Sequence, residues 1–289
     1  MVFSCLSSVC NLVRFAEHKK MKRRKEMNNR KCDQYKELFT AEYLMGPNSM
    51  RLLDEMLEKY PLRKGSRVMD LGCGKGITSL YLAKEAEAEV FATDLWISAT
   101  ENQEQFEKWG IQEQVIPIHA NADDLPYAKE YFDAIVTIDS YHYFAYQRGY
   151  FQEKILPFVK KGGVIIIAIP GIKEELQGVT AQQLMEWVGN DQHEYDSFRT
   201  RSWWVDLIGK SDEFEILQDF DLECYEQAWE DWFASGHEYA LRDEGYFRQE
   251  IGKHMNFIGL VIRRNGEEAT NFEKKSLPAE HSERGQDEY

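Results

Sequence analysis

Five short runs of apolar, mostly β-branched residues recur along the middle of the chain and constrain its fold more than any other feature. They span residues 66–71, 88–95, 114–120, 132–139 and 163–170. Runs of this length and composition are typical of strands that are buried on both faces. Helix-patterned stretches separate them, at residues 76–87, 98–110 and 148–163. The alternation predicts an α/β fold with a doubly wound, parallel sheet and right-handed crossovers.

Two later apolar runs, at 213–222 and 255–264, are further strand candidates. The segments before them are helical or irregular in pattern and rich in Trp, Tyr and Glu. We therefore expect one main domain that carries two insertions. The expected organisation is a basic, disordered extension over 1–31, a helical cap over 32–60, the main domain over 61–264 with insertions at about 172–212 and 223–254, and a disordered polar tail over 265–289.

The charge of the chain argues against general nucleic-acid binding. The 289 residues carry a net charge of −15. Residues 1–31 hold nine Lys and Arg against two Glu, which leaves about −22 on the rest, and a polyanion would be repelled by that part. The five cysteines form no CxxC pair, and no apolar stretch is long enough to span a membrane. These features predict a cytoplasmic protein with reduced thiols and no membrane span.

Three glycines in the stretch VMDLGCGKG, residues 68–76, follow the first predicted strand and open the first predicted helix. Ligands of doubly wound sheets bind at such carboxyl ends of strands. A dinucleotide fingerprint would need glycine at the sixth position from Gly72, where the chain has Ile77. A phosphate-binding loop would need Gly-Lys-Ser/Thr, which this stretch lacks. The pattern that remains is Asp-x-Gly-x-Gly-x-Gly.

This pattern and three further motifs resemble the class I S-adenosylmethionine-dependent methyltransferases. The further motifs are ATDL at 92–95, ANADDLPY at 120–127 and FDAIVTIDSYHYF at 132–144. Within the class, the chain is most similar to ubiquinone/menaquinone-type and cyclopropane-synthase-like relatives. The resemblance implies a seven-stranded, mostly parallel, Rossmann-like sheet with residues 255–264 as an antiparallel strand and the insertions as a lid. It also implies S-adenosyl-L-methionine as cofactor and in-line methyl transfer to a small-molecule acceptor.

The resemblance carries over a set of cofactor contacts, and the chemistry of most of these side chains agrees with it. Glycine at 72 and 74 lets the backbone pass close to the amino-acid part of the cofactor, because a Cβ there would collide. The carboxylate of Asp94 can accept hydrogen bonds from two ribose hydroxyls, and Asp70 suits the ammonium group, either directly or through water. The amide of Asn121 can accept a bond from the adenine amino group, with Asp123 as a second candidate, although Asn121 could equally be a plain turn residue. The predicted cofactor set is Asp70, Gly72, Gly74, Asp94, Leu95, Asn121, Ala122 and Asp139.

On the acceptor side, the loop after the fourth strand supplies the candidate catalytic residues. His142 is the candidate general base, because the usual pKa of histidine lies near neutrality, with Tyr141 as a second candidate. His142 could also be a histidine that only packs locally. We expect Tyr143, Trp203 and Trp204 to line the acceptor pocket. Aromatic rings beside acidic groups would suit a cationic amine, although a purely hydrophobic lid fits the same composition.

Two alternatives remain beside the small-molecule enzyme. A nucleic-acid methyltransferase would draw support from the basic extension, but the chain lacks the Asn/Asp-Pro-Pro-aromatic motif of amino-methylating enzymes of that kind. A protein that binds S-adenosylmethionine without transferring its methyl group would show the same cofactor motifs. No His, Cys and carboxylate residues have metal-ligand spacing, so we expect no metal. The acceptor and the oligomeric state are not specified by the sequence.

Overall fold

One seven-stranded sheet organises the protein in the computed structural model, which describes residues 30–266. Its strand order is β3-β2-β1-β4-β5-β7-β6. Only β7 runs antiparallel to its neighbours, β5 and β6, so the predicted sheet and its antiparallel strand are confirmed. The strands are β1 (Arg67–Leu71), β2 (Glu89–Asp94), β3 (Val115–His119), β4 (Phe132–Ile138), β5 (Val159–Ile172), β6 (Phe214–Asp221) and β7 (Met255–Arg264).

Nine α-helices flank the sheet within residues 30–266. They are α1 (Ser49–Lys59), α2 (Ile77–Glu85), α3 (Ala99–Lys108), α4 (Val179–Trp187), α5 (Gln192–Ser197), α6 (Arg201–Ile208), α7 (Tyr225–Ala234), α8 (Glu238–Phe247) and α9 (Glu250–His254). Helices α4 to α6 lie between β5 and β6, and α7 to α9 lie between β6 and β7, where the sequence predicts insertions. The predicted extension through residue 29 and the predicted tail after residue 266 lie outside the described residues.

The strands separate two hydrophobic cores, one on each face of the sheet. Val68 and Val136 point to one core, and their chain neighbours Met69 and Ile135 point to the other. This alternation is the two-residue period of a strand, here apolar on both sides. Helices α1, α2 and α7 contribute buried residues to the first core, and helix α6 contributes to the second.

The segment 148–163 differs from the predicted helix. Residues Phe151–Ile155 form a single π turn, Leu156–Phe158 form a 3-10 turn, and β5 begins at Val159. Pro157 cannot donate a backbone hydrogen bond and so cannot extend a regular helix. Gly163 lies inside β5 at a shift of register against β4, where an added Cβ would come 2.7 Å from the carbonyl oxygen of Asp133. Gly163 therefore belongs to a strand bulge and not to the predicted helix.

The N-terminal cap consists of a 3-10 helix, Lys31–Leu38, followed by a loop and α1. Polar contacts join this cap to α7. The backbone N–H of Asn48 donates to the carbonyl of Ala228 at 3.0 Å, and its side-chain amide donates to Asp231 at 2.8 Å. The buried guanidinium of Arg51 pairs with Asp231 at 2.6 Å and with Asp33 at 3.0 Å. The loop before α1 is thus fixed to the second insertion.

Within the part of the chain that the structure describes, no helix has the length and apolar character needed to cross a bilayer. The same residues, 30–266, contain no group of three His, Cys, Asp or Glu side chains that could hold a metal ion.

Candidate cofactor and acceptor site

A cavity of about 380 Å³ opens at the carboxyl ends of β1, β2 and β4. This is the edge at which doubly wound sheets bind ligands, and the volume is that of an ordinary small-molecule site. Segments at the strand ends, the loop before α1 and one residue of α5 build its walls. They are the loop before α1 (Tyr43, Met45, Gly46, Pro47, Ser49), the glycine loop (Leu71–Lys75, Ile77), the ends of β2 and β3 (Thr93–Trp96, Ala120–Ala122), the end of β4 and its loop (Ile138–Ser140, Tyr143, Phe144), and His193.

The glycine loop lines the cavity as predicted, but its glycines serve the protein's own packing as well. All three have positive φ angles, which glycine adopts without strain. A Cβ on Gly72 would lie 2.3 Å from both Cβ and Oγ of Ser140, and one on Gly76 would lie 2.4 Å from the ring of Phe106. A Cβ on Gly74 would meet only Met45 Sδ, at 3.0 Å, and would narrow the cavity entrance. The close approach at Gly72 is therefore made by Ser140, not only by a ligand.

Asp94 lies at the end of β2 and lines the cavity, where the sequence predicts a ribose contact. Its Oδ2 accepts a hydrogen bond from the N–H of Gly74 at 2.7 Å. Its Oδ1 accepts bonds from the N–H groups of Trp96 and Ile97 at 2.8 and 2.9 Å. A carboxylate offers about four acceptor positions, so about one remains on Oδ2 for a ligand hydroxyl. Asp94 thus shapes the glycine loop itself, and its contact with the ribose stays a prediction.

Asp70 does not line this cavity, so a direct contact with the cofactor ammonium group is not supported, and a contact through water stays a prediction. The side chain is buried, and its Oδ2 accepts hydrogen bonds from the hydroxyls of Thr78 and Ser79 at 2.7 and 2.6 Å. Burial raises the pKa of Asp70 to about 6, although the two hydroxyl donors oppose the shift. Both donors lie in the first turns of α2. Asp70 therefore fixes this helix against β1, and through it the glycine loop.

The residues predicted to contact adenine lie together on one partly exposed wall of the cavity. Leu95, Asn121 and Ala122 all line the cavity, and Leu95 is 50% exposed. The amide oxygen of Asn121 accepts a bond from the N–H of Asp123 at 3.0 Å. This is the side-chain turn that Asn commonly makes, which supports the turn interpretation, while the contact of Asn121 with adenine stays a prediction. Asp123 itself does not reach the cavity lining.

Asp139 follows β4 and lines the cavity with a backbone φ of +57°, a conformation that is uncommon outside glycine. Its N–H donates to the carbonyl of Ala168 at 2.7 Å, which anchors the strained residue to β5. Burial, and then the charge of Asp243, raise the pKa of Asp139 to about 8. Functional sites often hold strained residues and shifted carboxyls of this kind. Its predicted role as a cofactor contact stays a prediction.

His142 and Tyr141 do not line the cavity, although the sequence predicts them as catalytic. Tyr141 is 1% exposed and packs against Trp204 in the second core. His142 is 3% exposed and lies against the ring of Tyr143, with a centroid distance of 4.1 Å. Burial lowers the pKa of His142 to about 3, so its ring is neutral near pH 7 and a poor proton acceptor. The general base predicted at His142 is therefore not supported.

Trp203 and Trp204 are also absent from the cavity walls, whereas Tyr143 is present as predicted. Trp204 is fully buried in the second core, and its ring contacts that of Trp203 at 5.0 Å. The two tryptophans lie on α6, whose apolar side packs on the sheet. The two aromatic residues therefore pack in or against the hydrophobic core and do not line the acceptor pocket.

Several residues of the cavity were not predicted from the sequence. Met45 and Gly46 come from the loop before α1, where the Gly-Pro pair was the only signal. Trp96 is 64% exposed and contacts Tyr143 edge to face at 5.2 Å, so the two rings form part of the entrance. His193 comes from α5 of the first insertion and had no local signal.

Comparison with known proteins agrees with this geometry. A family model described as a methyltransferase domain matches residues 69–167. The chain is 30% identical over 96 residues to 27-O-demethylrifamycin SV methyltransferase of Amycolatopsis mediterranei (strain S699), which covers 32% of this chain and 35% of that protein. The chain thus spans about a third of that curated relative.

Two solved structures share the fold over most of the chain. The MccD protein has a TM-score of 0.60 at 14% identity, covering 77% of this chain and 100% of that one. Coclaurine N-methyltransferase bound to N-methylheliamine and S-adenosylhomocysteine has a TM-score of 0.59 at 16% identity, covering 80% and 78%. At these identities the likeness concerns the fold. The part of the chain that matches the methyltransferase domain model, residues 69–167, includes the glycine loop, Asp94 and Asp139 of the cavity.

Proposed function

We propose that this protein transfers a methyl group from S-adenosylmethionine to a small-molecule acceptor, leaving S-adenosylhomocysteine. The observation that carries the proposal is that the glycine loop and Asp94 lie on one cavity wall, joined by the hydrogen bond from the N–H of Gly74 to Asp94. The residues present fit the cofactor. Gly74 keeps the entrance open toward Met45, and the N-terminus of α2 offers partial positive charge to a carboxylate.

When bound, the cofactor supplies an activated methyl group, so the protein's task is binding and orientation. We assign the remaining acceptor position of Asp94 Oδ2 to a ribose hydroxyl. Leu95 and Ala122 offer apolar contact to the adenine ring, beside Asn121. Tyr143 and Phe144 then form the wall that faces the acceptor and excludes water from it.

The two other candidate functions have less support. A nucleic-acid acceptor would rest on the basic residues 1–29, which lie outside the described residues. A protein that binds the cofactor without transfer would have the same cofactor wall, so only turnover separates it from the enzyme. The cysteines of the described residues, Cys32, Cys73 and Cys224, are free thiols, which fits the cytoplasmic location that we infer.

The test combines binding and turnover. Titration calorimetry with S-adenosylhomocysteine should show binding, and Asp94→Ala should weaken it by about tenfold to a hundredfold, the scale of a hydrogen bond to a charged group at about 1.5–3 kcal/mol. Purified protein should also convert S-adenosylmethionine to S-adenosylhomocysteine with a panel of small acceptors. Absence of binding would refute the proposal, and binding without single-turnover transfer would leave only the binding protein.

A further inference from the structure

Asp139 is a second carboxylate of the cavity, and its position points to the chemistry of the acceptor; this inference rests on the proposed function. Among residues 30–266, no side chain forms a hydrogen bond or ion pair with its carboxylate, whereas Asp94 on the cofactor wall is bonded to three backbone N–H groups. A partly buried carboxylate without a partner is costly unless a ligand supplies one. Its strained backbone is also retained by the fold, through the bond to Ala168.

The charged and titratable groups around Asp139 belong mainly to the lid side of the cavity. Asp243 of α8 acts on the carboxylate, and Tyr143 of the same loop is influenced by Asp139, by Asp243 and by Glu194 of α5. His193 of α5 lines the same cavity. Asp94 of β2 instead influences Asp70. The two cavity carboxylates thus belong to separate groups, one beside the cofactor wall and one beside the lid.

The lining of the cavity has little positive charge available to bind an anionic acceptor. Lys75 lines it, but its ammonium donates to the backbone carbonyl of Glu42 at 2.6 Å, outside the acceptor side. The acceptor side therefore combines an unpaired carboxylate with the aromatic rings of Tyr143 and Phe144. When Asp139 is ionised, which in the free protein requires a pH above about 8, such a combination attracts a cation and repels an anion.

We propose that the acceptor is an amine that enters as an ammonium ion, and that Asp139 binds it and accepts its proton. The ammonium N–H bond breaks, its electron pair stays on nitrogen, and the proton moves to the carboxylate. The nitrogen lone pair then forms a bond to the methyl carbon while the carbon–sulfur bond breaks and its electron pair goes to sulfur. The products are the N-methylated amine, which regains a positive charge, and S-adenosylhomocysteine.

An alcohol or a phenol fits this site less well. A phenol would have to become an anion beside Asp139 and Asp243, which both repel negative charge. An alcohol holds its proton far too strongly for a carboxylate to remove it before the transfer. Burial raises the pKa of Asp139 to about 8, which brings it closer to the pKa of an ammonium ion and favours proton exchange between the two.

The experiment compares matched acceptors and matched variants. Ethanolamine, phenethylamine and piperidine are each paired with a hydroxyl counterpart, namely ethylene glycol, phenethyl alcohol and cyclohexanol, and methylated products are measured by mass spectrometry. We expect at least one amine and none of the alcohols to be methylated. With that amine, Asp139→Asn should lower kcat by about 10²–10⁴-fold, the range for loss of a general base. Asp206→Asn, which removes an exposed carboxylate on α6, should not change kcat.

Binding and pH dependence separate this role from a cofactor contact. Asp139→Asn should bind S-adenosylhomocysteine as tightly as the wild type does, which also shows that the variant is folded. The rise of kcat/KM with pH that reflects loss of the proton from Asp139 should be missing in the variant. Methylation of alcohols only, methylation of no amine, or an equal loss of S-adenosylhomocysteine affinity in Asp139→Asn would each overturn the inference. If the wild type binds S-adenosylhomocysteine and methylates only an alcohol, the proposed function stands while the amine assignment falls.

Discussion

Replacement of Gly72 by alanine tests why the glycine loop contains glycine at this position. The residue has a φ of +76°, and an added Cβ would lie 2.3 Å from Cβ and Oγ of Ser140. Ser140 has little freedom to move, because its hydroxyl donates to the carbonyl of Leu71 at 2.8 Å and bonds the hydroxyl of Thr137 at 2.7 Å. The left-handed backbone costs an alanine about 1–2 kcal/mol, and overpacking costs about 1–3 kcal/mol. Gly72→Ala should therefore lower the free energy of unfolding by about 2–5 kcal/mol.

Two further variants separate these contributions. Gly65 has a similar φ of +72°, but nothing lies within 4 Å of an added Cβ. Gly65→Ala should thus show only the backbone cost of about 1–2 kcal/mol. Ser140→Gly removes the colliding atoms, so Gly72→Ala should cost less in that background, with a coupling free energy of about 1–3 kcal/mol between the two positions.

Urea unfolding of the four variants and the wild type, followed by circular dichroism, measures these free energies. The m-values should be equal, so that the differences report stability alone. Strict additivity of Gly72→Ala and Ser140→Gly would refute the packing argument. It would leave the left-handed backbone and the close approach of a ligand as the reasons for glycine at this position.

Three further predictions concern the cores and the cap. Burial holds the pKa of His142 at about 3, so between about pH 6.5 and pH 3 only the unfolded chain binds this proton. The free energy of unfolding of the wild type should therefore fall by up to about 1.4 kcal/mol per pH unit as the pH drops from 6 toward 3. His142→Phe should remove that share of the slope in urea unfolding experiments. Trp204→Ala should lower the free energy of unfolding by about 3–5 kcal/mol without changing S-adenosylhomocysteine affinity in calorimetry, and a loss of affinity in the folded variant would contradict its place in the core. Arg51→Met should cost about 3–5 kcal/mol, because it leaves Asp231 and Asp33 without their buried partner. Arg148→Met, at an exposed ion pair, should cost less than about 1 kcal/mol, and equal effects in thermal unfolding would refute the distinction.

The sheet could be predicted because the signal for a strand buried on both faces is local. Each β-branched run of five to ten residues carries it without reference to the rest of the chain. The prediction of a helix over 148–163 was wrong because the local signal there was misleading. Its apolar spacing resembles a helix, but Pro157 and the register shift at Gly163 decide its structure, and that shift depends on the carbonyl of Asp133 in the neighbouring strand.

The cofactor wall could be predicted better than the acceptor wall. Gly72, Gly74 and Asp94 reach the cavity because strand ends in a parallel sheet meet at one edge. In the loop after β4, the left-handed backbone of Asp139 helps decide which side chains face the cavity and which the core. Residue type alone favoured His142 as the general base. The left-handed turn at Asp139, which helps decide the direction of these side chains, cannot be seen in the sequence pattern. His193 comes from a distant insertion, so only the folded chain brings it to the site.

The contacts of Asn48 with Ala228 and Asp231 join the entrance loop to the second insertion. The loop before α1, which forms part of the cavity wall, is therefore held in place by the second insertion. Exchange of residues 223–254 for the corresponding segment of a different protein would remove those contacts. A chimaera built to change acceptor preference should therefore include the loop before α1 together with the insertion. Otherwise the wall of the cavity formed by that loop loses its support.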